Sequence, residues 1–398
     1  MSDLFPAIVA VGYNRPECMK RLVKSIENAD YPAENIKLIV SIDCSDQSDR
    51  IEKIVREIGW SHGDLLIKRY TERQGLKNHI LQCGDLSEEY VAVIILEDDL
   101  VVSRCFYHYV VQALRFYQNH SKIAGISLYS HKWNEYGRYE FMAQKNEYDV
   151  YLGQFSITWG QCWTKERWRE FRKWYDRKKR EGLGVNYQLP EIIEHWGEKS
   201  WGKYFVYYIV EKDLYYVIPY ISLSTNCSEI GEHNARLSNS YQVMLLDAKA
   251  KEYNFPVFNQ AIRYDLFFER ILEPGRFING INGKDICIDL NGIHRDTSGK
   301  KYLLTSIREP FLKPIRTYGL QMRPIEENVF RETPGMDLFL YRVPKSYKKT
   351  KKILKTSYKR TEYEIYGNGW KRVLIYGIRS FFYAVNRRIR RYMKWIKI

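Results

Sequence analysis

The 398-residue sequence has no GxGxxG turn after its first apolar run and no GxxxxGK[ST] loop anywhere. Dinucleotide-binding and P-loop classes therefore lose the glycine-rich cradle on which they rest. Its seven cysteines are scattered, odd in number and without a CxxC pair, which argues against a zinc ribbon or a disulfide framework and for a reduced, cytosolic chain. No apolar run reaches the roughly 18 residues that a membrane-spanning helix needs. The opening MSDLFPAIVAVGYNRP has no basic region ahead of its apolar stretch, so no secretory signal is expected. No internal repeat is found. A charge excess is also missing from most of the chain. The formal net charge is +15, yet Lys345 to Ile398 holds 17 basic residues against Glu362 and Glu364, so the first 344 residues balance.

What is present is a chain 45% hydrophobic, with 33 Tyr and 10 Trp, long enough for a large α/β domain and a smaller companion. Strands are expected at Ala7 to Tyr13, Lys37 to Asp43, Leu65 to Tyr70, Val91 to Leu96 and Ile123 to Leu128. These runs are β-branched and apolar without alternation, as parallel strands covered on both faces are. Between them, Met19, Leu22, Val23 and Ile26, then Ile51, Ile54, Val55 and Ile58, then Phe106, Val110, Leu114 and Tyr117 recur at helical spacing. Asn14 is expected to cap the first helix ahead of Pro16, and Asp46 and Asp49 the second. Residues 148–234 are rich in Trp, Tyr and Gly, and runs such as ICIDL and FLYRV suggest an α+β extension beyond them.

Alternating β and α units imply a parallel sheet whose ligand sits at the carboxyl ends of the strands. Those ends are polar here: Tyr13, Asn14 and Arg15 after the first strand, Asp43 after the second, and Glu97, Asp98 and Asp99 after the fourth. Three adjacent carboxylates repel one another and call for a cation. Mn²⁺ or Mg²⁺ suits them, because such sites use one or two protein carboxylates together with substrate phosphates. A solvated acidic turn capping the next helix is the alternative.

With these features in view, the chain resembles GT-A fold glycosyltransferases over roughly residues 6 to 235. It is similar to bacterial family-two polysaccharide glycosyltransferases and, more specifically, to the N-acetylglucosaminyltransferase I family. IVAVGYNRPECMKRLVKSI, IVSIDCSD, ERQGLKNHI, VIILEDDLVVSRCFYHY, GQFSITWGQCWTKERW and IPYISLSTNCSEIGEHN correspond in order. The resemblance implies an α/β fold, a UDP-sugar donor and a divalent metal, with Arg15 and Asp43 on the nucleotide. A carboxylate such as Asp43 selects uracil because uracil offers an N3–H donor. It further implies Asp99 on the metal, Glu97 and Asp98 on the ribose and donor sugar, Trp159 and Gly160 near the sugar, and His233 near the diphosphate or metal. For Trp163 the alternatives are sugar stacking and core packing; Trp168 and Trp174 are expected in the core.

One position departs from the family. Gly202 stands where an Asp serves as the catalytic base, and an inverting transfer needs a carboxylate to take the acceptor proton. Glu198, Glu194 and Glu191, in that order, are the candidates, expected on one face of a single helix. The implied domains are a catalytic 1–235 (nucleotide half to about 130), an α+β extension 236–344 and a basic tail 345–398. In the tail, Leu374, Ile378, Phe381, Val385, Ile389, Tyr392 and Ile396 recur at spacings of three and four, flanked by Arg and Lys. A cationic amphipathic helix of this kind suits an anionic membrane surface; packing on the body or a protein partner is the next alternative, and nucleic acid the least favoured. The expectation is a metal-dependent transferase acting on a lipid-linked glycan acceptor in bacterial surface polysaccharide assembly, peripheral at the cytoplasmic face. A catalytically impaired scaffold and a sugar-phosphate nucleotidyltransferase are the alternatives.

Overall fold

A computed structural model describes residues 5–32, 35–229, 240–273, 275–344, 347, 358–365 and 369–395. The apolar runs become β1 (Ala7–Gly12), β2 (Leu38–Ile42), β3 (Leu65–Arg69), β4 (Ala92–Glu97) and, beyond the short β5 (Leu100–Val102), β6 (Ile123–Ser127). Helices α1 (Pro16–Glu27), α2 (Ser48–Ile58), α3 (Leu76–Asp85) and α4 (Phe106–Tyr117) alternate with them. β1, β2 and β6 are buried along their whole length, because helices cover both faces of the sheet. α1 turns Met19, Leu22, Val23 and Ile26 into the core. Neither expected cap is made: Arg15 and Gln47 hold the N-cap positions without a side-chain bond. Pro16 opens α1 as its fixed φ allows, and Asp49 pairs with Arg69 at 2.7 Å.

The central sheet has ten strands in the order Arg270–Ile271, Arg263–Tyr264, Val150–Gly153, Tyr215–Pro219, β6, Gln161–Thr164, β4, β1, β2, β3. β3, β2, β1 and β4 are mutually parallel. Antiparallel Gln161–Thr164 separates β4 from β6, so the sheet is mixed beyond β4. Two of its strands come from residues 263–271, paired onto Val150–Gly153, so the main sheet continues past the boundary expected at 235. The expected ICIDL and FLYRV strands form, as Ile286–Asp289 and Leu338–Arg342, in a separate four-stranded sheet.

Further helices are α5 (Lys165–Glu181), α6 (Glu191–Glu194) and α7 (Trp201–Glu211). Trp163, Trp168 and Trp174 are all buried, Trp163 against Trp168, Phe205 and Tyr216; of its two alternatives, Trp163 takes core packing. In the tail, Tyr358–Glu364 is docked through buried Arg360, which lies over the Tyr139 ring. The helix Trp370–Trp395 follows. Most of the charge run Lys345 to Lys359 lies outside the described residues.

Candidate active site

The carboxyl ends of β1, β2 and β4 and the start of α3 border a cleft that is partly open to solvent. Arg15, Asp43, Glu97, Asp98 and Asp99 line it, together with Tyr13, Arg73, Gly75 and His79. Asp43 is buried at the end of β2, where Oδ1 accepts the N–H groups of Cys44 (2.8 Å) and Gln74 (2.7 Å) and Oδ2 that of Gly75 (2.9 Å). These bonds fold the loop after β3 across the cleft; Gly75 sits at φ +73°, which suits glycine. One acceptor site remains on Oδ2.

At the end of β4, Arg15 grips Asp98 through Nη2 and Nε and lies 3.8 Å from Asp99. Burial nonetheless pushes Asp98 up to about 6, the Arg15 charge opposing it. Burial, then the neighbouring Asp99 and Asp98, raise Glu97 well above the carboxylate range. Burial likewise raises Asp99, against the pull of Arg15. Asp99 Oδ1 is buried with no hydrogen-bond partner. The Asp99 carbonyl accepts the Cys227 N–H at 2.8 Å, and β5 pairs with Ser224–Asn226. This brings Glu229 onto α1, where it takes two bonds from Arg21 (2.7 and 3.0 Å) and one from the Cys18 thiol (2.7 Å). Arg21 draws Glu229 down to about 2.

Neither Glu229 nor His79 was anticipated. His79 bonds Ser41 at 2.7 Å on the cleft floor, and burial lowers it to about 4, so it is neutral at pH 7. Its place four residues after Gly75, on the buried side of α3, is a helical-spacing signal that could have found it. Glu229 depends on a pairing 208 residues apart and leaves no such trace.

Trp159 and Gly160 do not line that cleft. Ser224 donates to the Trp159 carbonyl at 2.6 Å, and Leu128 N–H to that of Gly160 at 3.0 Å. Gly160 has φ +93°, and a Cβ there would lie 3.1 Å from Leu128 Cβ and Ser224 Oγ, so both conformation and space favour glycine. The half-buried Trp159 ring rests on Tyr129 and Tyr241 at 4.8 and 4.6 Å.

The three candidate bases do not share a helix. α6 ends at Glu194, and Ser200 caps a new helix by accepting the Lys203 N–H; Gly197 lies in the break. Glu194 is held by Arg295 at 2.7 and 2.8 Å. Glu191 is exposed, and Glu198 is exposed with the Tyr204 hydroxyl 3.3 Å away. The Glu198 carbonyl accepts from Lys77 of α3 at 2.7 Å. Gly202 is buried, yet a Cβ there would meet Ser156, Ser200 and Trp196 at an ordinary 3.7 Å. His233 lies outside the described residues.

Among the described residues no three His, Cys, Asp or Glu side chains form a metal-sized cluster. The donor set still fits a hard divalent ion: a buried Asp99 oxygen lacks a partner, and one carboxylate with substrate phosphates is a normal complement for Mg²⁺ or Mn²⁺.

Residues 79–178, running from α3 through the acidic cluster into α5, match the family model described as GNT-I family. That match likens this quarter of the chain, which carries the acidic cluster at the end of β4, to the GNT-I family. No curated protein matches the chain significantly. Among solved structures, S. aureus TarS 1-349 in complex with UDP-GlcNAc aligns over 58% of this chain and 61% of its own, at 11% identity and TM-score 0.35. GalNAc-T7 with UDP, GalNAc and Mn²⁺ aligns over 60% and 46%, at 12% and 0.40. A mannosyltransferase, PcManGT from Pyrobaculum calidifontis, in complex with GDP-Man and Mn²⁺, aligns over 46% and 49%, at 13% and 0.28. The chain spans less than two thirds of each.

Proposed function

We propose that the protein transfers a hexose or N-acetylhexosamine from a UDP-sugar to a glycan acceptor, with inversion. The observation that carries this reading is the unpartnered Asp99 oxygen beside Arg15, Asp98 and Glu97, in the same cleft as Asp43. Asp43 keeps one lone pair for the uracil N3–H, and its three backbone bonds fix where that acceptor points. Arg15 meets the nucleotide while holding Asp98. Glu97 and Asp98 hold ribose and donor-sugar hydroxyls; Glu97, raised well above the carboxylate range by burial and its two neighbours, can also donate when protonated. Asp99 holds a divalent ion, which when bound neutralises charge on the diphosphate leaving group. Trp159 offers an aromatic face to the sugar.

The tail supports a place of action. On the helix Trp370–Trp395, Leu374, Tyr376, Ile378, Phe381 and Phe382 are exposed. Among the described residues no helix is long and apolar enough to cross a membrane. An exposed apolar surface within a cationic segment suits peripheral attachment to an anionic leaflet, here the cytoplasmic face of a bacterial membrane carrying a lipid-linked acceptor. Calorimetry of the full chain with UDP and UDP-sugars, with and without Mn²⁺, tests the reading: Mn²⁺-dependent binding is expected, and Asp99→Asn should weaken it at least tenfold. Absence of binding by any sugar nucleotide would sink it. Gly202 favours the scaffold alternative, which predicts binding without release of UDP; a nucleotidyltransferase would release pyrophosphate instead.

A further inference from the structure

The two aspartates at the end of β4 are held by different anchors. Asp99 is fixed through its backbone: its carbonyl accepts the Cys227 N–H at 2.8 Å, and the next residue, Leu100, pairs with Asn226. Its side chain keeps a buried Oδ1 with no hydrogen-bond partner among the described residues. Asp98 is fixed through its side chain. Arg15 Nε donates to its Oδ2 at 3.3 Å and Nη2 donates to its Oδ1, so the guanidinium fork engages both oxygens. A two-point grip of this kind sets orientation as well as distance.

Arg15 is itself held at its root. It stands between β1 and α1, its carbonyl accepting the Met19 N–H at 3.1 Å, and Pro16 follows with a restricted φ. Its side chain is 23% exposed and that of Asp98 6%, so solvent ions screen the pair weakly. The same guanidinium lies 3.8 Å from Asp99. Among the described residues both aspartates have Arg15 as their ion-pair partner, while Arg21, farther along α1, is taken by Glu229 at 2.7 and 3.0 Å. One cation thus commits Asp98 and sets a positive charge beside Asp99. Both effects oppose a divalent ion arriving alone, because affinity for such ions rises with the number of carboxylates offered and a neighbouring cation repels them. A nucleoside diphosphate reverses both, since it brings oxygen ligands and negative charge.

We infer that Arg15 couples metal binding to nucleotide binding: by keeping Asp98 engaged it withholds a second carboxylate from a divalent ion, so that Asp99 suffices only when a nucleoside diphosphate supplies further oxygens. This rests on the place given to Asp99 in the function proposed above. Arg15 is then a positioning residue for the metal as well as a nucleotide contact. The coupling is reciprocal: the factor by which UDP tightens Mn²⁺ equals the factor by which Mn²⁺ tightens UDP.

The experiment titrates Mn²⁺ into the full chain by calorimetry, with and without UDP, at pH 8, where carboxylates released from Arg15 are ionised and able to bind an ion; thermal unfolding checks that each variant is folded. The parent should bind Mn²⁺ about tenfold or more tightly with UDP than without it. Arg15→Gln should tighten Mn²⁺ alone about tenfold, as Asp98 becomes a second ligand, and should shrink the gain from UDP in proportion. Adding Asp98→Asn to Arg15→Gln should return the affinity for Mn²⁺ alone to within about threefold of the parent. Asp98→Asn by itself, which keeps Arg15 and so does not depend on the folding of the Arg15 variant, should leave Mn²⁺ binding within about threefold, whereas Asp99→Asn should weaken it about tenfold or more. Unchanged or weaker Mn²⁺ binding by folded Arg15→Gln overturns the inference, and so does a gain that survives Asp98→Asn, which would trace it to charge alone. A loss on Asp98→Asn as large as on Asp99→Asn also overturns it, because Asp98 would then be a ligand in the parent. Each of these outcomes leaves the proposed function standing. A parent in which Mn²⁺ and UDP bind independently overturns both.

Discussion

Two glycines show how much a single residue decides here. Gly160 has a positive φ and close neighbours on both sides, whereas Gly202 lies at the second position of α7 with ordinary clearance. Gly160→Ala should therefore lose about 1 to 2 kcal/mol, from backbone strain and crowding. Gly202→Ala should gain about 0.5 to 1 kcal/mol, because alanine is the better helix former and restricts the unfolded chain. Urea unfolding of both variants checks the contrast, and equal losses would contradict it. Gly202 is thus not required by packing, so its lost carboxylate bears on chemistry rather than on the fold. Asp43 carries the opposite lesson. The sequence marks it as a nucleotide ligand, but most of its acceptor capacity shapes the loop that closes over the cleft.

At the scale of elements, the acidic stretch 191–198 and the tail differ in how far periodicity could be trusted. Spacings of three and four placed Glu191, Glu194 and Glu198 on one helix, yet the chain breaks after Glu194 and restarts where Ser200 caps and Trp201 is buried. A capping hydroxyl and one large apolar anchor outweigh a run of weak i,i+4 preferences. The tail forms its helix over Trp370–Trp395, with Leu374, Ile378 and Phe381 exposed, while Ile396 of the expected stripe lies outside the described residues. Replacing Leu374, Ile378 and Phe381 together by Asp should reduce cosedimentation with liposomes containing anionic lipid at least tenfold and leave UDP binding unchanged. Undiminished cosedimentation would remove the membrane reading of the helix.

For the whole molecule, the buried histidines give a pH signature. His79 falls to about 4 in the folded state, below the 6.5 of an unfolded histidine. The unfolded chain then binds more protons between those values, so this group makes stability rise with pH from about 4 to 6.5 and costs stability as pH falls through that window. The difference is on the order of 3 kcal/mol at full effect. Buried carboxylates whose pKa values are raised, Asp98 and Asp265 among them, act with the opposite sign, so the parent profile is a balance. The diagnostic comparison is His79→Asn against the parent in urea at pH 4.5 and 7. Relative to the parent, the variant should gain stability at the lower pH, and an unchanged difference between the two pH values would show that His79 does not titrate as its burial implies.

The sequence by itself determined the sheet and the polar ends of its strands. A buried parallel strand is written in consecutive apolar residues, and the groups at its mouth are the next few in the chain. Arg15, Asp43 and the Glu97 to Asp99 cluster were legible for that reason, as were the basic tail and the departure at Gly202. Tertiary structure decided which of these groups meet. It joined Arg15 to Asp98 across 83 residues and Glu229 to Arg21 across 208, and it carried the sheet on to Ile271. It also ended α6 at Glu194. Such encounters depend on closing long loops onto a shared core, a cost and a geometry that no local window of sequence contains.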